Sequence, residues 1–221
     1  MRLNILQHTA EEGPGTILPW AQAHHYDVFV YHPDQFGQLP TADETDFLVL
    51  LGGPMSPNDD LPWIHAERAL IKTLLVRNVP IFGACFGAQQ VTRVLGTPVT
   101  KAPAKEVGWA PIYRQTTTIP GLPAQLMVLH WHEEMFQLPT GAELLFSSDR
   151  VQNQGFVYHH RVVGLQCHLE PTATNVREMV VNDAAYLAGS ILGQTATQVL
   201  ETPVPTANQV ALNRILDYLI E

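Results

Sequence analysis

Cys85 sits in the middle of Gly83-Ala84-Cys85-Phe86-Gly87-Ala88-Gln89, with a glycine two residues away on each side. A short apolar run precedes this segment and a helical pattern through Val94 follows it, so the chain must turn sharply at the cysteine. Gly-x-nucleophile-x-Gly is the pattern of a nucleophile elbow, in which small flanks let strand and helix pack closely around a strained, exposed nucleophile. The helix N-terminus beside the sulfur is expected to lower the thiol pKa, and its free N–H groups can meet an oxyanion. The plainer alternative is a small buried cysteine in a Gly-rich turn.

A cysteine nucleophile needs a base, and the base needs a partner that fixes its tautomer. The strand candidate Val162 to Cys167 runs into His168-Leu169-Glu170, and residues two apart on an extended segment share a face, so His168 and Glu170 can be neighbours. His132 has Glu134 at the same spacing within a polar run, and a structural histidine is the alternative for either. His130 and His132 with Glu133 and Glu134 could ligate Zn²⁺ or Mn²⁺, with His24-His25 and His159-His160 adding to the histidine count. A cysteine nucleophile needs no metal, so no metal ligand and no cofactor are assigned and activity is expected to survive chelation. Cys167 should point to the opposite strand face from His168, which makes it a core thiol.

Positioning these groups requires a scaffold, and the pattern supplies one. Leu3 to Leu6, Val28 to Tyr31, Phe47 to Leu51 and Pro80 to Phe82 read as strands buried on both faces, alternating with helical segments. Pro62 opens a helix whose apolar face is Ile64, Leu70, Ile71, Leu74 and Leu75. Strand candidates then crowd together at Ala110 to Tyr113, Leu126 to Leu129, Leu144 to Phe146, Phe156 to Tyr158 and Val162 to Cys167, as antiparallel or mixed additions would. Helices are expected over Thr174 to Leu187 and Ala207 to Ile220, the latter with Thr206 and Gln209 at capping-box spacing and Val210, Ile215, Leu216 and Leu219 buried. The expected fold class is α/β, a mostly parallel central sheet with helices on both faces, in one domain over residues 1–221.

With 46% hydrophobic and 15% charged residues the chain can bury a core. The net charge of −9, with no basic stripe, argues against nucleic acid. The absence of a long apolar run argues against a membrane, and two cysteines suit a reducing, cytoplasmic setting.

Leu51-Gly52-Gly53-Pro54-Met55-Ser56, the Cys85 segment and Gly164-Leu165-Gln166-Cys167-His168-Leu169-Glu170, in that order, resemble the class I glutamine amidotransferases with their Cys-His-Glu triad. Lys105-Glu106-Val107-Gly108-Trp109 and His130-Trp131-His132-Glu133-Glu134 extend the likeness, which is greatest to stand-alone relatives of the glutaminase half of guanosine monophosphate synthetase. The resemblance implies a flavodoxin-like fold, Cys85 as nucleophile, His168 as general base and then acid, and Glu170 as its orienter. It further implies oxyanion donors at the Gly53 and Phe86 N–H groups, a substrate contact at Gln89, and a loop beside the substrate that carries His132. The family usually has proline where this chain has Leu169, so the rigid φ between base and orienter is lost. Three readings follow. The first is a hydrolase of glutamine or a small γ-glutamyl amine, the second a glutaminase subunit handing ammonia to a synthetase partner, and the third a silent binding protein of the same fold.

Overall fold

The computed structural model describes residues 1–221. Its strands are β1 (Arg2–Leu6), β2 (Asp27–Tyr31), β3 (Phe47–Leu50), β4 (Ile81–Ala84), β5 (Val99–Arg114), β6 (Gln125–Phe136), β7 (Ala142–Ser147), β8 (Gly155–Tyr158) and β9 (Val162–Leu165). Its α-helices are α1 (Ile17–Ala23), α2 (Pro33–Phe36), α3 (Pro62–Val76), α4 (Phe86–Val94), α5 (Ala173–Asp183), α6 (Ala196–Glu201) and α7 (Thr206–Ile220). All the strands form one nine-stranded sheet in the order β2-β1-β3-β4-β9-β8-β7-β5-β6. Pairing is parallel from β2 through β9 and antiparallel from β9 to β6.

Alternate residues of the parallel strands feed two cores, one on each side. Leu3, Ile5, Phe47 and Val49 pack with Ile17 and Trp20 of α1 and Leu212, Ile215 and Leu219 of α7. Leu6, Leu48 and Leu50 pack with Ile71 and Leu74 of α3 and Val91 of α4. Strands sandwiched this way are apolar on both faces, which is why β3 and β4 read as continuous hydrophobic runs and why β1 is broken only by Asn4, whose amide donates to the Glu44 carbonyl and Thr45 Oγ1. The expectation of two-sided burial fails for Val28 to Tyr31, where Phe29 is 41% and Val30 38% exposed, because β2 is the last strand of the sheet.

Three further expectations are corrected. The segment His130 to Glu134 is not a loop but the second half of β6, paired with β5 across a register shift between Lys101 and Glu106. Its polar residues hid the strand. The helix expected over Thr174 to Leu187 ends as α-helix at Asp183 and finishes as a 3-10 turn, Ala184–Leu187. The capping box at Thr206 does not form because Pro205 is the N-cap residue, and Val210 lies on the exposed side while Ala211 and Leu212 join the buried face. No helix is long and apolar enough to cross a membrane.

The C-terminal ends of β1, β3, β4 and β9 open on one edge of the sheet, where crevices of α/β sheets take their ligands. These ends lead into His8 to Glu12, Gly52-Gly53, Cys85 and His168, in that order.

Candidate active site

Cys85 joins β4 to α4 with φ +48° and ψ −111°, a left-handed backbone that a side chain adopts only under constraint. Two hydrogen bonds fix it: its N–H donates to the Leu165 carbonyl at 2.7 Å, and its carbonyl accepts from the Gln89 N–H at 3.0 Å. The flanking glycines are steric necessities, since a Cβ on Gly87 would lie 2.3 Å from the Leu50 carbonyl oxygen and one on Gly83 2.7 Å from the Ala88 nitrogen. The elbow is therefore present, but the nucleophile is not exposed: Cys85 is 6% accessible. Burial pushes its thiol pKa up, and the opposing pull of His168 and the Phe86 N–H does not reverse this, so the expected depression by the helix terminus is overturned. The sulfur lies 3.8 Å from the Trp131 carbonyl oxygen and 3.6 Å from the Gln166 Nε2.

His168 and Glu170 meet as their spacing implied, with Nδ1 2.5 Å from Glu170 Oε1. Burial draws the His168 pKa down, but the Glu170 charge and the coupling to Cys85 outweigh it and hold the ring well above its ordinary value. The ring Nε2 makes no ordinary hydrogen bond, yet it lies close enough to Cys85 for each to shift the other's proton affinity. Leu169 contributes something proline could not: its N–H donates to Glu170 Oε2 at 3.0 Å. Rigidity lost in φ is replaced by a charge-assisted hydrogen bond. The backbone is clamped from two sides, by the His168 N–H on the Leu129 carbonyl at 2.9 Å and by the Thr16 N–H on the Glu170 carbonyl at 2.9 Å. Cys167 lies wholly within the core beside Leu165 and Leu169, and burial raises its thiol pKa well above the ordinary range.

A cavity of about 380 Å³ opens onto Cys85 and is lined by Gly53, Gln89, Trp131, His132 and Glu12 among others. The Phe86 ring is fully buried, so its contribution to the site is the backbone N–H beside the sulfur. Gln89 is also buried, and its Nε2 donates to Gln166 Oε1 at 3.2 Å. Two groups have no motif to betray them. Glu12 places Oε2 3.8 Å from His168 Nε2, and burial raises its carboxyl to about 7. A Cβ at position 52 would lie 1.9 Å from that oxygen and 2.9 Å from His168 Cε1, so a side chain there would displace the Glu12 carboxyl. His8 sets Nδ1 3.0 Å from the Leu51 carbonyl oxygen and Nε2 2.9 Å from Glu67 Oε2. The Leu51 carbonyl can only accept, so Nδ1 carries a proton, and the ring ties the Gly52-Gly53 turn to α3.

The suspected metal ligands are distributed differently from the sequence expectation. Glu133 and Glu134 line the cavity, while His130 and His132 turn toward Glu106 on β5. Burial lowers His130 to about 3, and the two histidines and Ser148 lower Glu106 against the effect of its own burial.

The family model for class-I glutamine amidotransferases matches residues 21–186. The glutamine amidotransferase-like protein YfeJ of Salmonella typhimurium is 33% identical over 204 residues, covering 85% of this chain and 83% of that protein. One subunit of the glutamine-hydrolysing GMP synthase of Sulfolobus acidocaldarius is 32% identical over 131 residues, 58% of this chain and 68% of that one. A crystal structure of a glutamine amidotransferase from Methylobacillus flagellatus superposes with a TM-score of 0.91 at 29% identity, covering 99% of this chain and 94% of that one.

Proposed function

Because the chain belongs to the class-I glutamine amidotransferase family, we propose that it hydrolyses the side-chain amide of glutamine or of a small γ-glutamyl amine through a Cys85 thioester. The observation that carries this reading is the strained Cys85 backbone at the head of α4, opening onto the cavity, with the buried His168–Glu170 pair near enough for His168 and Cys85 to shift each other's proton affinity. His168 takes the thiol proton as the sulfur attacks the amide carbon, and Glu170 stabilises the imidazolium that results. In this reading the backbone N–H groups of Gly53 and Phe86 receive the oxyanion, whose charge exists only in the transition state. The imidazolium then protonates the departing nitrogen, and water activated by the same ring releases glutamate. Carboxylates of Glu12, Glu133, Glu134 and Asp183, against the single ammonium of Lys101, suit a substrate that carries positive charge.

A second reading, a glutaminase subunit that passes ammonia to a separate synthetase, draws on the likeness to the GMP synthase of Sulfolobus acidocaldarius. One assay separates the two: the purified chain alone is offered glutamine and a panel of γ-glutamyl amines. Amine or ammonia release without a partner supports the hydrolase, and activity that appears only with an added synthetase supports the second reading. Silence under both conditions, or full turnover by a folded Cys85→Ala protein, removes the proposal.

A further inference from the structure

Glu106, His130 and His132 converge at the cavity wall, to which His132 contributes, and none is more than 2% exposed. The two histidines are two apart on β6 and so share a face, and Glu106 is the β5 residue paired with His132. One ligand atom from each lies within 4.8 Å of the other two. Glu106 Oε2 is 3.5 Å from His130 Nδ1 and 3.4 Å from His132 Nε2. Those separations are long for hydrogen bonds. They match the edge of about 3.3 Å that separates ligand atoms around tetrahedral Zn²⁺ with bonds of about 2.0 to 2.1 Å.

The surrounding contacts orient the three as ligands. His130 is wholly buried, yet neither ring nitrogen has a hydrogen-bond partner, a costly arrangement that an ion at Nδ1 would relieve on that side. His132 Nδ1 lies 3.1 Å from the Glu134 carbonyl oxygen, which can only accept, so the proton is on Nδ1 and the Nε2 lone pair faces Glu106. A carbonyl-oriented imidazole is how metal-binding histidines are ordinarily held. Ser148 Oγ donates to Glu106 Oε1 at 2.7 Å and leaves Oε2 for a ligand. Gln154 Nε2 sits 2.6 Å from Glu106 Oε2 and 3.2 Å from His132 Nε2, while its Oε1 has no partner. A half-turn of that amide, whose two ends are nearly identical in shape, brings the oxygen near the same point, from which it draws back to about 3.3 Å from Glu106 Oε2 when both hold one ion.

We propose that Glu106, His130 and His132, with the Gln154 amide oxygen completing the shell, bind one zinc-like divalent transition-metal ion. Imidazole with a single carboxylate selects Zn²⁺ over Mg²⁺ or Ca²⁺. The site is separate from the triad and structural in effect. The ion braces the strand whose Trp131 carbonyl touches the Cys85 sulfur, and hydrolysis at Cys85 proceeds without it.

The test strips the full chain with chelator, adds Zn²⁺, removes the excess and counts retained ion alongside a thermal melt. One ion per chain is expected, with Tm raised by about 5 to 10 °C at saturating metal. His130→Gln and Glu106→Gln should abolish retention, and Ser148→Ala, which removes a hydroxyl shared by Glu106, Val151 and Gln154, should weaken binding by about tenfold or more. Cys85 and His168 are the competing ligands. Cys85→Ser should therefore retain Zn²⁺ like the unmodified chain, and Co²⁺ in the site should show no thiolate-to-metal charge-transfer band. The proposal is overturned by failure to retain Zn²⁺, by undiminished retention in Ser148→Ala together with His130→Gln, by loss of the ion in Cys85→Ser, or by a thiolate band.

Discussion

A buried thiol changes what is asked of its base. Burial raises Cys85 and the Glu170 charge holds His168 raised as well, so the working form is the pair that has shed one proton, with Glu170 favouring residence of the remaining proton on His168 as the sulfur attacks. A thiol already acidified by the helix terminus would leave Glu170 a secondary role. Burial reverses that ranking, so Glu170→Gln should lower kcat by about 10³ to 10⁴, the range of a comparable triad, with KM little changed. Steady-state kinetics decide it: a loss below about threefold would mean that Cys85 and His168 work as a dyad. The two cysteines should also differ in reactivity, because only Cys85 opens onto the cavity. A glutamine-like chloroketone should label Cys85 first, and peptide mapping that finds Cys167 labelled first would reassign the nucleophile. The triad residues were legible because each sits in a short local pattern. Glu12, His8 and Glu106 were not, since each acts on partners at least 24 positions away, and no spacing rule reaches across the sheet.

At the scale of elements, strands buried on both faces announced themselves by unbroken apolar runs, and α3 by one apolar face behind a proline. Short helices were silent: α1 and α6, with 7 and 6 residues, span too few turns to show a period. The β5–β6 hairpin was half legible, because its far half is lined by polar residues whose partners are each other. The loop between β1 and α1 had no reading either, yet it holds the Glu170 backbone. Gly15 has φ +49°, and a Cβ there would lie 2.0 Å from the Glu170 carbonyl oxygen. Gly15→Ala must therefore move one segment off the other besides straining a left-handed backbone, at a cost of about 2 kcal/mol or more. The Thr16 hydrogen bonds to Glu170 should be lost with it, so kcat is expected to fall by about tenfold. Urea unfolding and kinetics on the same sample check both halves. Destabilisation with an unchanged kcat would show that the clamp supports the fold and not the triad.

For the whole molecule, proton affinities in and around the site set how stability follows pH. Burial lowers the His8 pKa, but the Glu67 charge and hydrogen bonds with the Leu51 and Gly52 carbonyls raise it further, for a net rise above 6.5. His168 is raised well above the same value, chiefly by Glu170 acting against burial, and burial raises Glu12 from 4.5 to about 7. A group that binds its proton more tightly folded than unfolded stabilises the fold fully below its unfolded pKa and loses that stabilisation as pH rises through the folded one. All three groups therefore act in the same direction above pH 6.5, and the net charge of −9 adds self-repulsion as more protons leave. Below that value His130 opposes them, because its folded pKa of about 3 means that the unfolded chain gains a proton the native chain refuses. Between about pH 4.5 and 6.5 the Glu12 and His130 contributions oppose each other, so stability should be nearly level there and decline on the alkaline side. Urea midpoints measured from about pH 6.5 to about pH 8.5 should fall steadily, and His8→Gln, which removes one of the raised groups, should be less stable at the start of that range but flatter across it. A midpoint that rises with pH over this interval, or a His8→Gln protein with the parent's slope, would mean that the His8–Glu67 pair does not hold its proton in the folded chain.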